Sequence, residues 1–145
     1  MPTDTDPFGL ERFVQAQQPV YDTALAELRS GRKVTHWMWF IFPQIAGLGR
    51  SPASVRYAIG GIAEARAYLQ HPVLGPRLCE CGEAVLAVRG RSARDIVGSP
   101  DDMKLRSSAT LFAQVSPPGS VFARLLERYF PEGPDRQTLA LLAPR

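Results

Sequence analysis

Cysteine is scarce in this chain, which has two among its 145 residues. Cys79 and Cys81 are two positions apart, so on a helix their side chains would point to nearly opposite sides. Such a pair cannot close an ordinary disulfide there. His71 lies near them in sequence, but no second cysteine or histidine pair stands at the spacing of zinc ligands. We therefore predict two inert thiols, no bound metal and no cofactor.

Long apolar runs are also missing, and no stretch approaches the roughly 20 residues that a membrane-spanning helix requires. Residues 1–6 are polar and acidic, the opposite of the basic start and apolar middle of a signal peptide. We expect a cytoplasmic monomer without membrane association. The length fits one domain, 1–145, with an ordered core of about residues 6–142 that needs no disulfide or metal for stability.

Positive charge is in only slight excess, with 17 Lys and Arg against 14 Asp and Glu, a net charge of +3. The basic residues are spread along the chain instead of forming the run or stripe typical of nucleic-acid binding, so we expect no specific nucleic acid as a partner. The chain also lacks the Gly-x-Ser-x-Gly, His-Glu-x-x-His and Cys-x-x-Cys motifs. The sequence therefore contains no motif that supports a hydrolase triad or metal catalysis.

The chain does contain many residues of the kinds that begin and end helices. Capping residues precede prolines at Asp6, Ser51 and Ser99, and Ser92 with Asp95 resembles a capping box. Apolar residues recur at helical spacing between these signals. We predict an all-α domain of many short helices around an aromatic core. The predicted helices lie near 7–17, 19–30, 36–42, 52–58, 63–70, 73–89, 93–97, 100–114, 120–130 and 135–142.

The apolar run from Trp37 to Phe42 contains both tryptophans of the chain. A strand would need a pairing partner, which no other segment offers, so a short helix buried on all sides is the better interpretation. This run is either the centre of the core or the wall of a ligand pocket, because tryptophan faces also stack on planar groups. In the second case, His36 could act as acid or base and Gln44 could donate hydrogen bonds.

Two further segments could hold an anion. In the first, a turn with Gly47 and Gly49 precedes Arg50 and Ser51, so a guanidinium and the N–H groups of a helix start could face a phosphate. An ordinary helix start is the alternative. The second segment is the predicted helix from Asp101, where residues 104 and 108 share one face and could hold an oxyanion. The alternative there is a solvated first turn.

These segments resemble the hallmark blocks of a family of small bacterial proteins catalogued as domain of unknown function 1810 and sometimes labelled calpastatin. The blocks are residues 36–44, Gly47 to Ser51 with Tyr57, residues 71–75, and Ser99 to Asp102 with Lys104, Ser107, Ser108, Leu111 and Phe112. The resemblance covers about residues 6–142. It implies a compact all-α domain and brings no established activity. Ala109 departs from the pattern, which more often has Met there.

A fainter similarity links Leu48 to Arg50, with Met103 and Lys104, to small helical proteins of NAD and ADP-ribose chemistry. Our leading hypothesis is binding of a small anionic planar ligand, nucleotide-like or ADP-ribose-like, in one electropositive pocket where the three segments converge. Hydrolytic chemistry would use His36 as the catalytic residue. The predicted ligand-binding residues are Trp37, Trp39, Gln44, Arg50, Ser51, Tyr57, Lys104 and Ser108. The alternative is a protein-interaction module without a small ligand, and the sequence does not decide whether the protein is an enzyme.

Overall fold

The computed structural model describes residues 6–143 and contains ten α-helices there, with no strand. Each predicted helix has a counterpart, which confirms the all-α fold. None of these helices combines the length and apolarity of a membrane span. The helices are α1 (Glu11–Gln17), α2 (Tyr21–Ser30), α3 (Met38–Ile41), α4 (Pro52–Arg56), α5 (Ile62–Gln70), α6 (Leu74–Ala87), α7 (Ala93–Val97), α8 (Asp101–Ala113), α9 (Val121–Tyr129) and α10 (Arg136–Leu142).

Helices α6, α8 and α9 form the centre of the packing. α6 packs against α2, α5 and α9, whereas α8 packs against α5, α7, α9 and α10. Gly82 lets α6 and α9 approach closely, because a Cβ atom there would lie 2.9 Å from Val121 Cγ2. The apolar stripes that predicted these helices therefore meet one another in the interior.

A row of aromatic rings runs through this interior from α1 to α9. Ring centroids are 5.2 Å apart for Phe13 and Tyr68, 5.3 Å for Tyr68 and Phe112, and 5.6 Å for Phe112 and Phe122. These separations fall in the favourable range for aromatic pairs. Gln17, also buried, donates to Tyr68 Oη at 3.0 Å and to the Phe40 carbonyl at 2.7 Å. The aromatic core thus contains a satisfied polar contact.

The tryptophan-rich run is part of this core, but only on one side. Trp37, Met38, Ile41 and Phe42 are buried, whereas Trp39 and residue 40 are half-buried. The run therefore contributes to the core as predicted, and its exposed side leaves Trp39 available at the surface.

Most of the predicted caps are present. Asp6 accepts hydrogen bonds from the amides of residues 10 and 11, Ser51 caps α4, and Ser92 forms a capping box with Asp95. Ser99 is the exception, because α8 begins after Pro100 and has no side-chain cap. The predicted cap at Ser99 is therefore wrong.

The loop from residue 44 to residue 59 is closed at its base. The Ala46 amide donates to the Ile59 carbonyl and the Ile59 amide donates to the Gln44 carbonyl, both at 2.8 Å. Arg12 anchors the end of the loop by donating to the carbonyls of residues 56 and 58, and it pairs with the buried Glu64 at 2.9 Å. These contacts hold the loop on α1 and α5, from where it reaches toward α8.

Candidate functional site

A cleft of about 200 Å³ lies where the 44–54 segment meets the first turns of α8 and the start of α10. We call this site the polar cleft. It brings parts of all three predicted segments together, and α10 adds a fourth that the sequence did not indicate. The residues that line it are Gln44, Leu48, Gly49, Ser54, Pro100, Met103, Lys104, Ser107, Asp135 and Gln137.

Lys104 is the cation in the lining of the polar cleft. Its Nζ lies 3.4 Å from Asp101 Oδ1 and 5.2 Å from the ring centroid of Trp39. The other oxygen of Asp101 lies 3.0 Å from Lys33 Nζ. One carboxylate therefore serves two ammonium groups, and Lys104 is only partly neutralised by its ion pair.

Asp102 adds a second acid in the first turn of α8. Its Oδ1 atom is buried and has no hydrogen-bond partner among residues 6–143. The positive end of the helix stabilises acids at this position. Asp102 does not line the polar cleft, so it lowers the positive potential around α8 without contacting the space a ligand would fill.

Trp37 is fully buried and presents no face to a ligand. Its Nε1 donates to Glu27 Oε1 at 2.9 Å, and Lys33 Nζ lies 5.1 Å from its ring centroid. This corrects the expectation that Trp37 stacks on a ligand. Trp39 is the tryptophan near the polar cleft, where it contacts the Lys104 ammonium.

Glu27 holds the segment that leads into Trp37. Burial would raise the pKa of this carboxyl, but hydrogen bonds from the amides of Thr35 and Val34, the Thr35 hydroxyl and the Trp37 indole lower it to about 2. The three bonds to residues 34 and 35 measure 2.7–3.0 Å. Glu27 is therefore a carboxylate with a structural role, held by four hydrogen bonds from residues 34, 35 and 37.

The predicted catalytic His36 and the predicted anion-binding Arg50 are both exposed, and neither lines the polar cleft. Ser51 is used as the cap of α4: its hydroxyl accepts from the Ser54 amide at 3.1 Å and donates to Ser54 Oγ at 2.8 Å. The expectation that His36, Arg50 and Lys104 jointly line one electropositive pocket is therefore not met. Instead, the lining carries one cation, Lys104, and one carboxylate, Asp135.

Tyr57 and Ser108 belong to the packing of the protein. The Tyr57 ring lies 5.7 Å from the ring of Phe13 and 5.4 Å from that of Phe40, measured between centroids. Ser108 is buried and does not line the polar cleft, whereas Ser107 does. Of the predicted ligand-binding residues, Gln44 and Lys104 line the cleft.

Asp135 is the functional candidate that the sequence interpretation missed. It caps α10, and its Oδ2 accepts from the Thr138 amide at 2.9 Å, the Thr138 hydroxyl at 2.5 Å and the Ser107 hydroxyl at 3.4 Å. Its own amide donates to Thr110 Oγ1 at 2.8 Å. Asp135 is the first residue of the helix predicted at 135–142, and an aspartate at a helix start is a recognisable cap, but nothing in the sequence indicates that this cap meets α8.

Gly49 allows the turn of the 44–54 segment to lie directly on α4. A Cβ atom at position 49 would lie 2.5 Å from Ser54 Cβ, closer than real side chains approach. This position therefore favours glycine, because any other residue would have to displace α4. The shape of this wall of the polar cleft depends on that contact.

A larger groove of about 610 Å³ lies between α6 and α9. Two of its four charged residues pair with each other, since Arg124 and Glu83 form an exposed ion pair at 2.6 Å. It contains none of the residues predicted to bind a ligand. We call it the α6/α9 groove, and its lining residues are Glu83, Leu86, Ala87, Arg124, Glu127 and Arg128.

Groups of side chains that could hold a metal ion are absent from residues 6–143. Both cysteines are free thiols, with Cys79 exposed and Cys81 buried. Burial raises the pKa of Cys81 to about 12, so this thiol is not a nucleophile at neutral pH. We take the polar cleft as the candidate site because residues from the predicted segments, among them Gln44, Gly49 and Lys104, line it.

Comparison with known proteins identifies the fold. The profile of a protein family described as "Protein of unknown function (DUF1810)" matches residues 7–142. The chain is also similar to the conserved hypothetical protein Rv1873 from Mycobacterium tuberculosis, whose crystal structure superposes with a TM-score of 0.94 at 56% sequence identity. That match covers 97% of this chain and 100% of the other. None of the curated proteins compared with the chain is significantly similar to it.

Proposed function

We propose that this chain, which belongs to the DUF1810 family, binds a small polar ligand with one anionic group in the polar cleft. One observation carries the proposal. Lys104 lines the cleft, while Asp101, its ion-pair partner, is shared with the buried Lys33. An anionic group of a ligand would complete the neutralisation of Lys104, and it would do so in a partly enclosed site where charge interactions are stronger than in water.

The other side chains of the cleft supply hydrogen-bonding groups and an apolar surface. Gln44 and Gln137 offer amides, and Ser54 and Ser107 offer hydroxyls. Leu48, Met103 and the ring of Pro100 are the apolar lining residues. A mixture of apolar surface with a few convergent polar groups is typical of small-molecule sites.

The size of the cleft limits the ligand. Its volume of about 200 Å³ is below the roughly 300–1,000 Å³ that is usual for sites that enclose a drug-sized ligand. A group of the size of a monosaccharide with one phosphate fits this volume better than a complete ADP-ribose. A nucleotide would place its sugar phosphate in the cleft and leave its base outside.

The proposal is one of binding and not of catalysis. His36, the residue expected to transfer protons, is exposed and outside the lining of the cleft. A general acid or base must come within hydrogen-bond reach of the reacting group. The hydrolytic version of the hypothesis therefore has no assigned proton donor.

Thermal-shift measurements with ribose 5-phosphate, inorganic phosphate, AMP and ADP-ribose test the proposal. We expect ribose 5-phosphate to raise the melting temperature of the wild-type protein and to leave that of Lys104→Ala unchanged. Arg50→Ala is the matched control, since it removes one exposed positive charge near the cleft but outside its lining. Equal ligand-induced shifts in both variants would contradict the proposal, as would the absence of any shift in the wild type.

A protein-interaction module is the second candidate, and one observation favours it. Of the four large apolar side chains that are most exposed among residues 6–143, three lie on elements around the cleft: Val55, Met103 and Leu141. Single exposed apolar residues are normal, but a contiguous patch is typical of a binding surface. If a variant with Val55→Ser and Leu141→Ser, both outside the cleft lining, lost association with a cellular partner but kept its response to ribose 5-phosphate, the two functions would be separate.

A further inference from the structure

We propose that Asp135 determines the specificity of the polar cleft by accepting hydrogen bonds from neighbouring hydroxyl groups, so that the ligand class is a phosphorylated sugar. This inference rests on the proposed function, because it needs an anionic group of the same ligand at Lys104. It adds the chemical nature of the part of the ligand that does not carry the anionic group. It also assigns a role to a residue that stood outside every predicted segment of the site.

The two oxygens of Asp135 have different surroundings. Oδ2 accepts from the amide and the hydroxyl of Thr138, and it lies 3.4 Å from the Ser107 hydroxyl, whose single proton is also 3.1 Å from the Met103 carbonyl oxygen. Oδ1 accepts no hydrogen bond from residues 6–143, and it is not one of the fully buried polar atoms. Since each carboxylate oxygen can accept about two hydrogen bonds, Oδ1 has unused capacity on a residue that lines the cleft.

Asp135 is held in place from several directions. Its amide donates to Thr110 Oγ1 at 2.8 Å, and Arg106 donates to the carbonyls of Gly133 and Pro134 at 2.8 and 3.1 Å. α8 therefore fixes the loop that carries Asp135. A side chain held by such neighbours can bind a ligand without first being ordered.

The charges of the cleft disfavour a bare anion. A free phosphate attracted by Lys104 would also meet the carboxylate of Asp135, and the two negative groups would repel each other. A ligand whose second end carries neutral donors avoids this repulsion and satisfies Oδ1. Two adjacent hydroxyl groups of a sugar are such donors.

The remaining polar side chains favour hydroxyl groups over a single ammonium group. The amides of Gln44 and Gln137 and the hydroxyls of Ser54 and Ser107 can each donate and accept. A sugar hydroxyl also donates and accepts, so it can pair with such groups in either direction. An amino acid would use Lys104 and Asp135 but would leave the side-chain amides of Gln44 and Gln137 without matching partners.

Calorimetric titration with ribose 5-phosphate, 2-deoxyribose 5-phosphate and inorganic phosphate tests the inference. The wild type should bind ribose 5-phosphate about 10-fold more tightly than its 2-deoxy analogue, since a lost hydrogen bond to a charged group has at least that effect. In Asp135→Asn this difference should disappear, while affinity for inorganic phosphate stays the same or increases. Asn is as good a helix cap as Asp, and Asp135→Ser, which also keeps a capping oxygen, replaces it if the Asn variant does not fold.

The outcomes separate the two proposals. If Lys104→Ala binds ribose 5-phosphate as the wild type does, the proposed function fails. If Lys104→Ala loses binding but Asp135→Asn still distinguishes the two sugars as the wild type does, only the role of Asp135 is wrong. Tighter binding of alanine than of ribose 5-phosphate would overturn the sugar class.

Discussion

Trp37 and Trp39 are two residues apart, and each has a lysine over its ring, yet they belong to different regions of the molecule. Lys33 lies 5.1 Å from the Trp37 ring and Lys104 lies 5.2 Å from the Trp39 ring, and both lysines pair with Asp101. The difference is burial. The side chain of Lys33 is 7% exposed and that of Lys104 is 22% exposed.

This comparison shows how one arrangement of groups can serve two purposes. On the Trp37 side, the indole is fully buried and donates a hydrogen bond to Glu27, so these contacts contribute to stability. On the Trp39 side, the same pairing of lysine and indole lies at the polar cleft, where a ligand can reach the ammonium group. We expect mutations on the first side to change stability and mutations on the second to change binding.

The largest effect is expected for the buried tryptophan. Trp37→Ala should lower the free energy of unfolding by about 3–5 kcal/mol, the usual range for a large aromatic in a core. Trp39→Ala should cost less than about 2 kcal/mol, because a half-buried side chain loses less buried surface. Urea denaturation followed by circular dichroism measures both. Equal losses would remove the distinction between the two regions.

The second prediction concerns Glu27 and pH. Its folded-state pKa of about 2 lies below the ordinary value of 4.5, so its contribution to stability is complete above that ordinary value. This contribution is lost as the pH falls toward 2. Glu27→Gln should flatten the decline of stability with acid and should cost about 1–3 kcal/mol at neutral pH, because the donors around position 27 lose a charged acceptor.

Denaturation curves of the wild type and Glu27→Gln at several pH values between 2 and 7 check this prediction. Glu127→Gln is the matched control, since residue 127 is exposed on α9 and its carboxylate forms no ion pair or hydrogen bond among residues 6–143. A Glu27 variant with the same acid profile as the wild type would show that the carboxylate does not hold the Trp37 region.

The smallest effect is expected at the wall of the polar cleft. Gly49→Ala should cost about 1 kcal/mol, at the lower end of the range for an overpacked contact, because the new Cβ meets Ser54 on a short helix that can shift. Gly61→Ala is the comparison: a Cβ there meets no atom within 4 Å, and its cost is that of alanine in place of glycine at the N-cap of α5. Thermal unfolding compares the two. No loss of stability in Gly49→Ala would show that this close contact does not constrain the wall of the cleft.

The sequence predicted the helices well because their signals are local. Apolar spacing and caps such as Ser92 with Asp95 lie within one or two turns of chain, and the structure contains them. Ser99 shows where local signals fail. It is a serine before a proline, the residue types of a helix start, but its side chain makes no capping hydrogen bond to α8. Local pattern therefore predicts the elements better than their ends.

The site was predicted less completely because its geometry is not local. Lys104 and Gln44 were identified by their chemistry, but helix spacing could not tell whether residue 107 or residue 108 would face the cleft. Asp135 meets Ser107 across 28 positions of sequence, and no periodicity carries that information. The two tryptophans lie in the same apolar run, so the sequence does not distinguish them. Only the packing around α3 decides which one is buried.

A titration of the ¹⁵N-labelled protein with ribose 5-phosphate, followed by amide chemical shifts, tests the central claim most directly. We expect shifts concentrated in residues 44–54, 103–107 and 135–137, with residues 33–37 around Trp37 unchanged. Such a pattern would place the ligand in the polar cleft on the Trp39 side. Shifts centred instead on the α6/α9 groove, at residues 83–87 and 124–128, or no shifts at all, would contradict the account.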